Sequence, residues 1–304
     1  MPPIDAVLLL AFGGPERPED VRPFLDEVLR GRPVPRERYE AVVRHYEAIG
    51  GRSPLSAWTF RQARALAAAL ERDGPRLPVY VGMRSWTPTV AETLASMQRD
   101  GVRRALAVIL APHRAEVSFE RYRRAVDDGR AALGTAAPAI DYARPWFDHP
   151  EFIASVSSRV RDALAVAPDD TEIVFTAHSI PCAMADRSPY VRELETSCRL
   201  VAAALGRPFA IAYQSRSGGP REPWLEPDVN VLLRERAAQG VRHVVLVPIG
   251  FVCDHVEVLY DLDVEARATA AALGLGLTRA ETANDHPAFI RMLAALVRAH
   301  AGDA

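Results

Sequence analysis

Cysteine is scarce in this chain of 304 residues: only Cys182, Cys198 and Cys253. None forms a CxxC pair, and an odd, scattered set argues against a disulfide framework and fits a reducing compartment. Three thiols are also too few for an iron–sulfur cluster held by four. No apolar run reaches the roughly 18 residues that span a bilayer. The opening string MPPIDAVLLLAFGGP has about seven apolar residues, no basic segment before them and turn residues directly after, so it reads as a first strand and not a signal peptide. Excess charge of either sign is missing as well. The formal net charge is −2 and the sequence pI about 6.5, which offers neither the basic footprint of a nucleic-acid binder nor a long acidic tail. The basic side chains are arginine rather than lysine. Together these absences predict a cytoplasmic protein with no nucleic-acid partner and no transmembrane segment.

What is present is ordinary globular composition, 49% hydrophobic and 25% charged, in a length that suits one large domain or two medium ones. Eight short apolar runs alternate with longer amphipathic segments: AVLLLAF, PVYVGM, RALAVILA, AIDYA, EIVFTAH, FAIAYQ, HVVLVPIG and LGLTRA. Continuous apolar runs are the pattern of parallel strands covered on both faces. The segments between them open on Ser, Thr, Asp or an early Pro, and several close on Gly, as capped helices do. The result is a repeated βα architecture. One internal similarity refines it: GVRRALAVILAPH from Gly101 and GVRHVVLVPIGFV from Gly240 both run from the end of a helix through a Gly into a buried strand. With four strand candidates in each half, this predicts two similar α/β domains, 1–146 and 147–304.

Ligands of such sheets bind beyond the carboxyl ends of the strands, which singles out four loops. After the first run comes Phe12, Gly13, Gly14 and Pro15; paired glycines allow close backbone approach to a ligand, although on these residues alone a plain βα turn is the better reading. The string lacks the third Gly of a dinucleotide fingerprint and the Lys of a phosphate loop. Around YEAIGGRSPL, the side chains of Arg30, Arg32, His45, Tyr46 and Ser53 offer donors to carboxylates, against the alternative of a solvated helix face. VFTAHSIP places His178 at the end of a buried strand, where an imidazole can take a proton or bind a transition metal, or simply hydrogen-bond within a turn. Finally, HVEVLYDLDVEA carries Glu257, Asp261 and Glu265 four residues apart. On an α-helix these share a face and repel one another, and no Lys or Arg lies between His255 and Glu265 to relieve them. A solvated surface explains that row poorly. Glu257, nearest the loop, is placed to meet His178, and a His with a carboxylate suits a divalent first-row metal.

The strings TAHSIP, YQSRSGGPREPWLEPDV and VPIGFVCDHVEVLYDLDVEA, with FGGPERPEDV and GGRSPL upstream, resemble the ferrochelatase family over nearly the whole chain, from Ala6 to about Leu296. The resemblance implies two Rossmann-like domains with parallel four-stranded sheets, a porphyrin cleft between them, and a last helix, about 286–300, that packs on the first domain. It implies insertion of Fe2+ into a porphyrin, with His178 and Glu257 carrying the metal chemistry; by the reading of the acidic row itself, Asp261 and Glu265 would lead cations towards that pair as an outer metal path. The short length, YEAIGG and PWLEPDV are most similar to the branch acting on coproporphyrin III rather than protoporphyrin IX. In that branch Phe12, Arg30, Tyr46, Ser53 and Tyr122 fall at porphyrin and propionate contacts. Three departures stand out. Phe12 replaces a Tyr that can ligate the metal axially in some members. A second propionate-region Arg is here Leu29 or His45. Arg84 stands where a relative has Lys. No Cys follows Cys253, so no iron–sulfur cluster is expected, and no cofactor beyond the substrate iron.

These parts suggest a mechanism in which His178 accepts a pyrrole proton or binds incoming iron and Glu257 shares that metal. The acidic row supplies ions, while apolar walls including Phe12, Ile180 and Trp224 cover the ring. Alternatives are a protoporphyrin IX ferrochelatase giving protohaem, a sirohydrochlorin-type chelatase, a non-enzymatic porphyrin or haem carrier, and a nucleotide-binding enzyme. The expected partners are coproporphyrin III, Fe2+ and, transiently, neighbouring enzymes of haem synthesis, with the protein itself a monomer.

Overall fold

The structure is a computed structural model that describes residues 3–31, 33–219 and 221–302; Arg32, raised above as a carboxylate donor, lies outside them. Eight strands form at the eight apolar runs: β1 (Ala6–Ala11), β2 (Val79–Met83), β3 (Arg104–Ile109), β4 (Ala139–Tyr142), β5 (Glu172–His178), β6 (Phe209–Gln214), β7 (His243–Val247) and β8 (Gly276–Arg279). They assemble into two four-stranded sheets, ordered β2-β1-β3-β4 and β6-β5-β7-β8, with every pair parallel. The two orders are the same topology repeated. Gly101 and Gly240, which open the internal similarity, lead into β3 and β7, the strands that hold the same place in their sheets.

The packing explains the apolar runs. Every residue of β1 is buried, and Leu8, Leu9 and Leu10 expose nothing. Each such side chain contributes about 1.5–3 kcal/mol by leaving water. Ala6, Leu8 and Leu10 point to one face, where Val90, Leu94 and Met97 of the helix Val90–Arg99 and Val126 of the helix Arg121–Leu133 cover them. Thr89 caps the first of these helices reciprocally: its hydroxyl accepts from Glu92 N at 3.2 Å, and the Glu92 carboxylate accepts from Thr89 N at 2.7 Å. The helices Leu55–Asp73 and Pro287–Gly302 pack together on the rest of this sheet. In the second sheet Val174, Val244 and Leu246 meet Leu232 and Leu233 of the helix Val229–Ala238, along with Val258, Leu262 and Ala266.

The chain forms two compact units, neither of them continuous. The first is Met1–Ala111, Glu116–Pro145 and Asp285–Ala304, and the second is Pro112–Ala115 with Trp146–Asn284. The carboxyl-terminal helix thus completes the first unit. Arg61 holds Asp285 at 2.7 Å, and His300 Nε2 lies 2.9 Å from the Asp141 carboxylate. No helix among the described residues is long and apolar enough to cross a membrane.

Within the second unit a buried polar cluster involves His113, Arg114, Glu193 and Ser197. Glu193 is fully buried and accepts from Arg114 N and Nε, each at 2.8 Å. His113 is 1% exposed, with Nε2 3.0 Å from Ser197 Oγ. Because that hydroxyl donates to the Phe147 carbonyl at 2.6 Å, the imidazole Nε2–H is the donor to Oγ. Burial pushes the His113 pKa from 6.5 down to about 3. Folded His113 therefore stays neutral while the unfolded chain takes up a proton below pH 6.5, so this contribution is present above pH 6.5 and lost as pH falls towards 3. Urea unfolding of the wild type and of His113→Gln at pH 7.5 and pH 5 should show the wild type's advantage shrinking by about 2 kcal/mol at the lower pH.

Candidate active site

In a sheet ordered 2-1-3-4 the connections reverse direction between the first and third strands, and the crevice beyond their carboxyl ends is where such folds bind ligands. The switch points here lie after β1 and β3 in the first unit and after β5 and β7 in the second. His178 is the last residue of β5, and Glu257 lies in the short helix Val256–Leu259 that follows β7. They meet: His178 Nε2 is 3.4 Å from Glu257 Oε1. His255 stands on the other side of the same carboxylate, its Nε2 3.3 Å from Oε2.

The loop carrying His178 is held at every step. His178 Nδ1–H donates to the Ser179 carbonyl. Tyr190 Oη donates to the His178 carbonyl at 2.9 Å, and Ser179 Oγ donates to the Leu225 carbonyl at 2.8 Å. Leu225 N donates to the Ile180 carbonyl at 3.0 Å, so residues 180–182 and 223–225 form a small antiparallel ladder containing Ile180 and Trp224, both buried. Across the sheet, Gly250 lets the chain after β7 close on β5. A Cβ there would lie 2.6 Å from Ala177 Cβ and 2.7 Å from Ala177 Cα.

The tautomer of His178 has a chemical consequence. With Nδ1–H committed to Ser179, Nε2 presents a lone pair to the lone pairs of Glu257, and only a cation reconciles two acceptors at that distance. Without metal the cation is a proton. Burial favours neutral imidazole, but the Glu257 charge and the Ser179 carbonyl outweigh it, and the pKa of His178 is raised. Burial likewise raises that of Glu257, and His178 and His255 outweigh it, holding the carboxylate well below its usual range. A divalent cation would answer the same demand, with His178 Nε2 and the Glu257 carboxylate as the atoms to hold it.

The acidic row is not the straight α-helical stack that its spacing predicts. Asp261–Ala266 is a π-helical turn: Glu265 N donates to the Tyr260 carbonyl at 2.9 Å, one residue further than an α-helix reaches. The two acids still feel one another, the Glu265 charge adding to burial in raising the Asp261 pKa. Glu265 is exposed, while Asp261 is half-buried and accepts from Ser215 Oγ. Burial raises the Asp261 pKa to about 7, with the nearby Glu257 charge adding to it. Among the described residues the relief of the row comes from His178 and His255 at Glu257, from Ser215 at Asp261, and from Asn230 and the Arg234 charge at Glu265. Asp263, within the same turn, forms a direct ion pair with Arg279 at 2.8 Å.

The first unit's switch point holds the other residues singled out by the sequence. Gly13, at φ +87°, turns the chain after β1 against Trp86. Phe12 packs edge-on against Phe24, which in turn meets Tyr46 and Trp86. The Arg84 guanidinium lies over both the Phe12 ring at 4.7 Å and the Tyr122 ring at 5.4 Å. Tyr46, Ser53 and Tyr122 are buried, with Ser53 against Gly14, whereas Arg30 is exposed and paired with Glu27. Sequence reasoning missed His255 and Gln214. The first was visible two residues before Glu257, and the second carried no signal beyond ending a strand.

Two parallel four-stranded sheets of the same repeated order define a protein of the chelatase fold. The sirohydrochlorin chelatase SirB of Bacillus subtilis subspecies spizizenii in complex with cobalt shares it, with a TM-score of 0.59 at 14% identity over 98% of this chain and 95% of that one. So does SirB of Bacillus subtilis with Fe3+, at 0.60 and 13%, covering 98% and 96%. At such identity the likeness concerns the fold alone. The ferrochelatase family model matches residues 4–301. A coproporphyrin III ferrochelatase of Mycobacterium tuberculosis is 46% identical over 298 residues, covering 96% of this chain and 85% of that protein. A ferrochelatase of Rhodopirellula baltica is 42% identical over 307 residues, covering 99% and 88%. The chain belongs to the ferrochelatase family, and is an enzyme of haem synthesis, a lyase that inserts iron into a porphyrin.

Adding one methyl group at Gly250 forces backbone at Ala177 to move, a strain of about 1–3 kcal/mol. Gly250→Ala should lower the Tm by several degrees in scanning calorimetry and reduce iron insertion in the same preparation.

Proposed function

We propose that this chain inserts Fe2+ into coproporphyrin III, giving Fe-coproporphyrin (coprohaem), with His178 and Glu257 as its catalytic and metal-handling pair. The 3.4 Å approach of His178 Nε2 to Glu257 Oε1 supports the reaction. The porphyrin's identity is supported by relatives at 44–46% identity named coproporphyrin III ferrochelatase. Insertion replaces two pyrrole N–H protons by one divalent ion, so the site must present the metal and receive protons. The His178–Glu257 pair exchanges one kind of cation for the other between two acceptors. Asp261 and Glu265 supply an outer path, along which Asp261, near neutrality in its ionisation, passes a proton at little cost.

Phe12, Arg30, Tyr46, Ser53 and Tyr122 serve as porphyrin contacts in this reading. Phe12 offers a ring face and no axial oxygen. Arg30 exchanges its exposed Glu27 partner for a propionate, a surface pair whose loss costs about 0–1 kcal/mol. The enzyme works with no resident cofactor or iron–sulfur cluster. Its three cysteines are free, and burial raises the pKa of the Cys198 and Cys253 thiols, which opposes thiolate ligation. It acts as a cytoplasmic monomer and hands its product to a neighbouring enzyme.

Anaerobic assays with Fe2+ should give at least tenfold higher kcat/KM for coproporphyrin III than for protoporphyrin IX. Equal rates, or a preference for protoporphyrin IX, would reverse the choice of substrate, and spectra that never show metallation would favour a porphyrin carrier. His178→Ala should lose at least a hundredfold in insertion while still quenching or shifting porphyrin fluorescence on binding; full turnover in that variant would remove the imidazole from the mechanism.

A further inference from the structure

We infer that Gln214 is a positioning residue that sets the separation of His178 and Glu257, an inference that rests on the pair assigned above. Gln214 ends β6 directly beside His178 in the parallel ladder. Its main chain binds the histidine side: the Gln214 carbonyl accepts from Ser179 N at 2.7 Å, and Ser179 also receives the Nδ1–H of His178. Its side chain binds the carboxylate side, the amide Nε2 donating to the Glu257 carbonyl. One residue thus spans from the imidazole loop to the backbone of the carboxylate. The next residue repeats the reach, since Ser215 Oγ donates to the Asp261 carboxylate. Ser215 does so at φ 64°, a conformation that side chains other than glycine rarely adopt.

Burial identifies this as geometry rather than stability. Gln214 is 1% exposed, and its side-chain carbonyl Oε1 has no hydrogen-bond partner among the described residues. An unsatisfied buried acceptor destabilises the fold, and an apolar side chain of the same length would avoid that cost. What an apolar chain cannot do is donate to the Glu257 carbonyl. Without that bond the first turn of the Val256–Leu259 helix is free to shift relative to the Ser179 loop, and metal ligands tolerate only small displacements.

The test compares wild type, Gln214→Met, Gln214→Asn and His178→Ala in steady-state assays varying Fe2+ and porphyrin separately, with the Tm measured on each. Methionine fills the space without a donor, and asparagine keeps the amide one methylene too short. We expect both to raise the KM for Fe2+ at least tenfold, leaving the porphyrin KM within twofold and the Tm of Gln214→Met equal to or above wild type. Wild-type Fe2+ kinetics in either folded variant, or equal losses for both substrates, would overturn the positioning role. Should Gln214→Met fail to fold, the role as stated is overturned on its stability side and Gln214→Asn decides the kinetic side. An inactive His178→Ala beside a wild-type-like Gln214→Met refutes only the role of Gln214, whereas an active His178→Ala removes the pair itself and this inference with it.

Discussion

Two acceptors held 3.4 Å apart, the Nε2 of His178 and a carboxylate oxygen of Glu257, demand a cation between them. That demand organises the second unit's switch point. The direction of the imidazole is set from behind by the Ser179 carbonyl, which takes Nδ1–H and leaves Nε2 as the working atom. The carboxylate is kept ionised despite burial because histidines flank it on both sides. In the proposed reaction this pair would give up a proton for a divalent ion, which is the exchange that metallation of a tetrapyrrole requires.

The surroundings convert that local chemistry into fixed geometry. Tyr190, Ser179, Leu225 and Gln214 fasten the loop after β5. Gly250 admits the chain after β7 to contact with Ala177. The π-helical turn Asp261–Ala266 then inserts one residue, with Asp261 half-buried on Ser215 and Glu265 exposed. The same sheet topology in the first unit carries a different set, with Phe12, Arg84 and Tyr122 stacked where the second unit has its imidazole and carboxylate. A repeated fold thus supports unlike chemistry at the carboxyl ends of its strands and in the loops that follow, since the buried stretches of the strands define the architecture and leave those ends free to differ.

The architecture was legible because inner parallel strands such as β1, β3, β5 and β7, buried on both faces, must be apolar at nearly every position, and each of the eight runs, the less buried edges β4 and β8 included, became a strand. The similarity of the Gly101 and Gly240 segments also marked strands of equivalent place, β3 and β7. The ranges of the compact units were harder to read. Asp285–Ala304 belongs with the first unit because its helix finds its apolar partner in Leu55–Asp73, a long-range choice that local periodicity does not encode. The π-helical turn escaped detection for a related reason. An i to i+5 hydrogen bond leaves no mark on side-chain period, so Glu257, Asp261 and Glu265 looked like one stripe.

Sequence by itself determined the strand order of events along the chain, the kinds of side chain at the strand ends, and the pairing of one histidine with one carboxylate as the chemistry to expect. Residue type and hydrophobic period are local properties, and these conclusions need nothing more. Only the tertiary structure decided that His178 offers Nε2, that His255 shares Glu257, and that the amide of Gln214 reaches the Glu257 backbone from the neighbouring strand. The first depends on which ring nitrogen the Ser179 carbonyl engages, the second on the local fold that turns His255 back onto Glu257, and the third on a hydrogen bond that spans 43 positions; hydrophobic period and residue type record none of these.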